Sequence, residues 1–203
     1  MRGLLDRLRS MGSKKNAPQL LMWYPTQDRP RVAPMPAPYV LRAFAEGDQV
    51  PWSILLNDNG QLGAWTCERV QSELDGALVP GGQFFVVHSE QLVACAGVYD
   101  RSRAGTACWE IGWIAARREH GGLGLGLRVT AAAVDFALRL DQRPIFLLTD
   151  DFRLPAIKTY LKLGFVADLT HPTFAGRWSD VFAELGGQYA SYRDARLNGG
   201  ADR

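Results

Sequence analysis

The chain has 203 residues, 47% of them apolar and 22% charged, with a formal net charge of +2, a balance that suits a globular domain with enough apolar mass to close a core. So small a charge is no nucleic-acid footprint, and with no DNA- or RNA-binding motif present no nucleic-acid partner is expected. No apolar run is long enough to span a bilayer and no uninterrupted signal-peptide core opens the chain, which leaves a cytoplasmic location as the expectation.

Residues 1–38 differ in composition from the rest of the chain and read as a basic extension with a proline-rich connector. Arg2, Arg7, Arg9, Lys14 and Lys15 face only Asp6, while Leu4, Leu5, Leu8 and Met11 recur at helical spacing. That pattern is a short basic amphipathic helix. At this length it is expected to pack on the domain or fray, with a weak membrane or protein contact through residues 1–15 as the alternative. Pro25, Pro30, Pro34, Pro36 and Pro38 then mark extended chain.

The domain is expected over residues 39–197. A strand at 39–44 leads to a helical stretch carrying Val50, Trp52, Ile54 and Leu55, with Asp48 as its expected N-cap. Asn57-Asp58-Asn59-Gly60 ends it, and 66–74 supplies a second helix. Strands at 84–88 and 92–99 flank Ser89-Glu90, and residues 100–105 turn the chain into a long strand at 106–116. Beyond a glycine-rich stretch, Leu127, Ala131, Val134 and Leu138 mark a helix with one buried side. A buried strand at 145–149, a helix at 154–163, a strand beginning at Phe165-Val166 and a helix through 177–182 complete an α/β sandwich. Residues 198–203 form a loose tail.

The stretch Glu119-His120-Gly121-Gly122-Leu123-Gly124-Leu125-Gly126-Leu127 joins the strand to the helix. Glycines there let the backbone approach a ligand, and the first N–H groups of the helix have no intrahelical partners, so phosphate oxygens and the helix dipole fit together. The dinucleotide pattern G-x-G-x-x-G fails because Leu127 or Val129 occupies its third position, and no Gly-Lys-Ser/Thr follows as in a P-loop. Gly121, Gly124 and Gly126 instead resemble motif A of the GNAT acyltransferase superfamily, R/Q-x-x-G-x-G/A, with glycine in place of Arg or Gln at the first position. Residues 154–165, Leu-Pro-Ala-Ile-Lys-Thr-Tyr-Leu-Lys-Leu-Gly-Phe, resemble motif B at the expected interval. Arg153 stands where motif B has asparagine, and either meets a CoA phosphate or covers the helix start. The helix signals agree: Pro155 suits a first turn, Lys162 a last turn, and Gly164 a position just past the end.

The resemblance covers about residues 39–167. It implies a GNAT-like α/β (α+β) fold with a mixed, mostly antiparallel central sheet flanked by helices. It also implies an N-acetyltransferase that moves an acetyl group from acetyl-CoA, its co-substrate, to a primary amine of a small molecule or peptide, by direct transfer in a ternary complex. Cofactor contacts carried over from motif A are Gly121, Gly122, Leu123, Gly124, Leu125, Gly126 and Leu127, with backbone groups of Ile114 and Ala116 beside the pantetheine and carbonyl oxygen. Tyr160 matches the motif B tyrosine whose hydroxyl, in the family, sits near the CoA sulfur and acts as general acid or holds the thiolate. Glu110 resembles the family's catalytic glutamate and would take a proton from the amine, directly or through water; Trp109, Ile111 and Trp113 are expected to desolvate it. His120 and His171 are rival bases, read as a loop-flanking and a structural residue. The alternative reading is a degenerate domain that binds acyl-CoA as a sensor, suggested by Gly121 and Arg153. Cys67, Cys95 and Cys108 read as small apolar residues, no metal is expected, and the protein is a monomer or homodimer.

Overall fold

The computed structural model describes residues 17–186 except residue 59, and also Tyr189. The expected basic helix and residues 198–203 lie outside the described residues. Strands β1 (Leu20–Tyr24), β2 (Val40–Ala43), β3 (Leu78–His88), β4 (Gln91–Arg103), β5 (Thr106–Ala116), β6 (Ile145–Thr149) and β7 (Val166–Ala167) form one sheet. Its order is β2-β3-β4-β5-β6-β1-β7, antiparallel throughout except between β5 and β6. The mixed, mostly antiparallel sheet expected from the sequence is therefore present.

Helices α1 (Gln49–Asn57) and α2 (Cys67–Asp75) cover one face around Trp52, Leu55, Leu56 and Val70. Helices α3 (Leu125–Leu140) and α4 (Leu154–Leu163) bury their apolar stripes in the larger core, which α5 (Phe174–Leu185) also joins. In α5 the stripe is Phe174, Trp178, Val181, Phe182 and Leu185, spaced four, three, one and three, which is the period that lays one helix side on a sheet.

Two hairpins set the register. Ser89 and Glu90 (φ 46° and 67°) turn β3 into β4, and Ala104 and Gly105 (φ 47° and 79°) turn β4 into β5. Positive φ at both central residues is the turn that matches strand twist. The loop expected over 100–105 thus shrinks to two residues, because the strands stay paired as far as Arg103 and Thr106.

Three expectations need correction. Residues 20–24 are not part of a connector. Leu-Leu-Met-Trp-Tyr forms β1 between β6 and β7, where Leu20 and Met22 are fully buried, so the domain begins well before residue 39. The helix after the glycines starts at Leu125, one half-turn before Leu127. Asp48 holds the N-cap position of α1 but makes no side-chain cap.

The Asp48 carboxylate instead takes two hydrogen bonds from Arg42 (2.6 and 2.8 Å) and one from the Ala45 N–H (2.7 Å). Burial works to raise its pKa, but the Arg42 and Ala45 hydrogen bonds and the Arg42 charge bring it below the ordinary carboxylate value. A depressed folded pKa contributes stability above the unfolded value, near 3.9, and that contribution fades as pH falls through the folded value. Asp48→Asn is expected to cost about 2 kcal/mol at pH 7, between an exposed and a fully buried pair. In denaturant titrations the gap from the parent should begin to narrow as pH drops below the unfolded value near 3.9 and go on closing through the lower folded value; a gap that stays equal as pH falls from 7 into that range would show that the charge is not the cause.

Candidate functional site

Strands β5 and β6 part company after two paired positions, Trp109 with Ile145 and Glu110 with Phe146. On its other side β5 stays on β4, but with a bulge: Cys95 faces Ala115 whereas Gly97 faces Gly112, and Trp113 takes φ 48°. A bulge adds a residue to one strand and bends it. Here it steers residues 114–116 away from β6 and opens a fork, which continues into a cleft of about 550 Å³. The predicted residues Ile114, Ala116, Gly121, Gly122, Gly124, Leu125, Gly126, Leu127 and Tyr160 all line it. Leu123 does not; it lies exposed beside the loop.

Residues Arg118–His120 form one tight 3-10 turn, closed by the Gly121 N–H on the Arg118 carbonyl (2.9 Å). A Cβ on Gly121 would lie 2.9 Å from that same oxygen, so glycine at the position where motif A has a long polar side chain permits the tight turn. Gly124 then enters α3 with φ 67° and no side-chain cap, and the first turn of α3 holds no acidic residue. The N–H groups of Leu125, Gly126 and Leu127 are left for an anion, as the helix dipole favours.

Arg128 fixes this loop from behind. Its guanidinium donates to the Leu123 and Gly124 carbonyls (2.8 and 3.1 Å) and to those of Ala33 and Pro34 (2.9 and 2.8 Å). The proline-rich segment is thereby strapped to the glycine loop. A Cβ on Gly124 would meet Arg128 Nη1 at 2.7 Å, whereas one on Gly126 meets nothing within 4 Å. The two glycines therefore respond differently to substitution. Gly124→Val should destabilise the loop by about 1–3 kcal/mol through backbone strain alone. Gly126→Val should leave melting nearly unchanged and reduce CoA binding at least tenfold, because its branch stands where a phosphate approaches; calorimetric titration of both variants with CoA checks this, and full affinity in Gly126→Val would move the phosphate site elsewhere.

Tyr160 is buried on α4, its ring against Phe165 (centroids 6.2 Å), and it borders the cleft. Burial pushes its pKa up to about 12, opposed by the Arg153 charge, so the hydroxyl keeps its proton at neutral pH. Arg153 precedes the helix and reaches across the cleft mouth: Nη2 donates to the Gln61 carbonyl (2.8 Å) and pairs with Asp150 (2.9 Å). It is a brace between the β6 end and the loop following α1, rather than a cap on α4.

Glu110 is not among the residues lining this cleft. It projects on the α1/α2 side of the sheet, opposite Tyr99 in the register, and receives a hydrogen bond from Arg101 Nε (3.1 Å). Trp109 and Ile111 belong to the core on the opposite side, since neighbouring strand residues alternate, so the desolvation expected from them does not occur. The fork brings the Glu110 side of the sheet and the cleft within a few residues of one another along β5.

His120 lines the cleft with Nδ1 2.9 Å from the Tyr39 hydroxyl, and its ring lies 5.2 Å from that of His88. His171 contacts the Thr173 hydroxyl through Nδ1 (2.9 Å) and packs on Phe174. Cys95 and Cys108 are buried free thiols and Cys67 is partly buried; burial pushes the Cys95 thiol up to about 12, and its Sγ donates to the Trp113 carbonyl (3.2 Å). Among the described residues no group of three or more His, Cys, Asp and Glu side chains is placed to hold a metal, and no helix is long and apolar enough to cross a membrane.

Arg128, Arg101 and Gln61 escaped the sequence reading. Only Arg101 left a signal: with a two-residue turn at Ala104-Gly105, counting back pairs Tyr99 with Glu110 and sets Arg101 on the diagonal.

The fold has known counterparts. A GCN5-related N-acetyltransferase from Sphaerobacter thermophilus is 22% identical, with a TM-score of 0.58 over 81% of this chain and 53% of that one. Another from Kribbella flavida is 18% identical, with a TM-score of 0.53 over 75% and 55%. A ribosomal-protein-alanine N-acetyltransferase from Brucella melitensis biovar Abortus 2308 is 17% identical, with a TM-score of 0.53 over 66% of this chain and 95% of that one. The chain thus spans little more than half the length of the first two, and at these identities the likeness is one of fold. No curated protein matches it. The model of the acetyltransferase (GNAT) family does, over residues 41–165, a range that holds the bulged strand, the glycine loop and the Tyr160 helix, and the chain belongs to that family.

Proposed function

We propose that the protein transfers an acetyl group from acetyl-CoA to a primary amine in a ternary complex. The observation that carries this reading is the cleft itself, lined together by the uncapped start of α3, the unpaired edge of β5 and Tyr160. Acetyl-CoA suits these groups. Its pyrophosphate would sit on the α3 start, and its pantetheine would run along residues 114–116, as an added strand follows a free edge.

The amine nitrogen forms its bond to the thioester carbonyl carbon as the carbon–sulfur bond breaks. Glu110, directly or through water, takes the proton the amine loses. Tyr160, which stays protonated at neutrality, donates to the departing sulfur. Arg153 holds the wall carrying Gln61 against α4 while this happens.

Saturating acetyl-CoA, at a thousand times its dissociation constant, is expected to stabilise the chain by about 4 kcal/mol. Differential scanning fluorimetry reads that shift, and thiol release across an amine panel reads turnover. A shift with no turnover on any amine would favour an acyl-CoA sensor; no shift at all would remove the cofactor assignment.

A further inference from the structure

On the sheet face that carries Glu110 lies a second cleft, of about 480 Å³. Its walls are mainly apolar, among them Leu21, Leu148 and Phe174, with Pro18 and Pro172 at the rim. One permanent cation lines it, Arg103, the last residue of β4. Tyr99, Arg101 and Arg103 alternate along β4 and so share a face, which puts Arg103 on the Glu110 side of the sheet.

Arg103 combines two observations, an Nε without an acceptor, as in Arg153, and a guanidinium without a carboxylate partner, which Arg153 has in Asp150. The Arg103 guanidinium stacks 4.6 Å from the centroid of the Phe146 ring, yet no carboxylate among the described residues pairs with it. Its Nε is buried and lacks any acceptor. A charged donor in that state is costly, and such groups are ordinarily satisfied. The carboxylates nearby are engaged elsewhere. Asp150 takes Arg153 and Gln19 (2.9 and 3.3 Å), Asp168 takes Trp23 Nε1 (2.7 Å) and Thr170 (2.6 Å), and Glu110 takes Arg101 (3.1 Å).

The location matters as much as the chemistry. Phe146 is opposite Glu110 in the last parallel pair before β5 and β6 part, so the Arg103 guanidinium hangs over the floor of the fork. Gln19, which lines this cleft, donates to Asp150, the partner of Arg153 in the acetyl-CoA cleft. The two clefts are therefore linked through the Gln19–Asp150–Arg153 contacts.

We propose that Arg103 is the anchor for a carboxylate on the acceptor, so that the protein acetylates amines that also carry a carboxyl group: amino acids or short peptides with a free carboxyl end. The Arg103 guanidinium lies over the Phe146 ring and lines the cleft, and a guanidinium edge is the two-point match for a planar carboxylate. A single cation between apolar walls suits one negative charge on an apolar side chain better than a phosphate dianion. This inference rests on the acetyl-transfer reading for its amine, but not for its carboxylate.

Two measurements on the full chain separate those dependences. In the first, acetyl transfer is followed with matched acceptors, phenylalanine against phenethylamine and leucine against isoamylamine, with phosphoethanolamine as the phosphate probe. The carboxylated member of each pair should be favoured at least tenfold in kcat/KM. Arg103→Gln should raise its KM about tenfold to a hundredfold, leave its kcat and the plain amine almost unchanged, and Arg103→Lys should restore part of the preference. In the second, binding of N-acetylphenylalanine and N-acetylphenethylamine to the CoA-loaded chain is titrated calorimetrically. Only the acid should bind measurably, and Arg103→Gln should abolish the difference. If no amine is turned over, the titration alone decides, and a retained Arg103-dependent preference upholds the carboxylate site while the transfer reading falls. Equal binding of the two acetylated compounds by the parent, equal losses for acid and amine in Arg103→Gln, or a preference for phosphoethanolamine each overturns it.

Discussion

Tyr160→Phe is expected to lower kcat about a hundredfold with little change in acetyl-CoA affinity, the loss seen when one transition-state donor is removed. The substitution is conservative in the core, because the ring packs against Phe165, is almost fully buried, and is kept whole when the hydroxyl is removed. Burial holds its pKa near 12 even with the Arg153 charge opposing it. The hydroxyl therefore keeps its proton across the working range, and a loss of rate between pH 7 and pH 10 belongs to another group. Single-turnover measurement, where chemistry limits the rate, is the check. A phenylalanine variant that runs at the parent rate would make Tyr160 a core residue and leave the sulfur to water or to the backbone.

Glu110→Gln should produce a loss of similar size, at least a hundredfold, and a change of kind as well as degree. A base works only when ionised, so activity with Glu110 present falls on the acid side; the amide cannot titrate, and that limb of the kcat/KM profile should vanish. CoA affinity should be unaffected, since Glu110 lies outside the cleft lined by the glycine loop. Its hydrogen bond to Arg101 offers a plain structural role as competitor. The two are told apart by the profile: a variant that loses stability and rate but keeps the acid limb makes Glu110 half of an ion pair and assigns the proton to water.

The glycine turn at 121–126 could be read in advance because everything that makes it is local. Glycine spacing decides where the backbone can turn, and the apolar rhythm of Leu125 to Leu138 decides where the next helix lies. The same holds at α4, where Pro155 sits in the first turn and Gly164 takes φ 98° just past the end, with its N–H on the Tyr160 and Leu161 carbonyls. β1 was hidden for the opposite reason. Leu20-Leu21-Met22-Trp23-Tyr24 has no alternation because both its faces are buried, and its partner Ile145–Thr149 is more than a hundred residues away. Prolines on one side and a basic stretch on the other hid a central strand inside what read as a linker.

Glu110 and Arg153 show where local reading stops. The sequence places Glu110 beside two tryptophans and an isoleucine, but a strand sends neighbours to opposite faces, and its real company, Tyr99 and Arg101, comes from across a hairpin. Arg153 precedes a helix and so reads as a cover for its start, while its actual partners are Asp150 and a carbonyl from a loop some ninety residues earlier. By itself, then, the sequence determined the glycine turn and the tyrosine helix, which come from spacing within a dozen residues, and the likeness of those two motifs to one family implied the mixed sheet. The tertiary structure alone decided how β5 bends away from β6, which face Glu110 occupies, and that Arg103 stands without an acceptor over Phe146. Those are matters of strand register and sheet order, set when distant segments bury their apolar faces together.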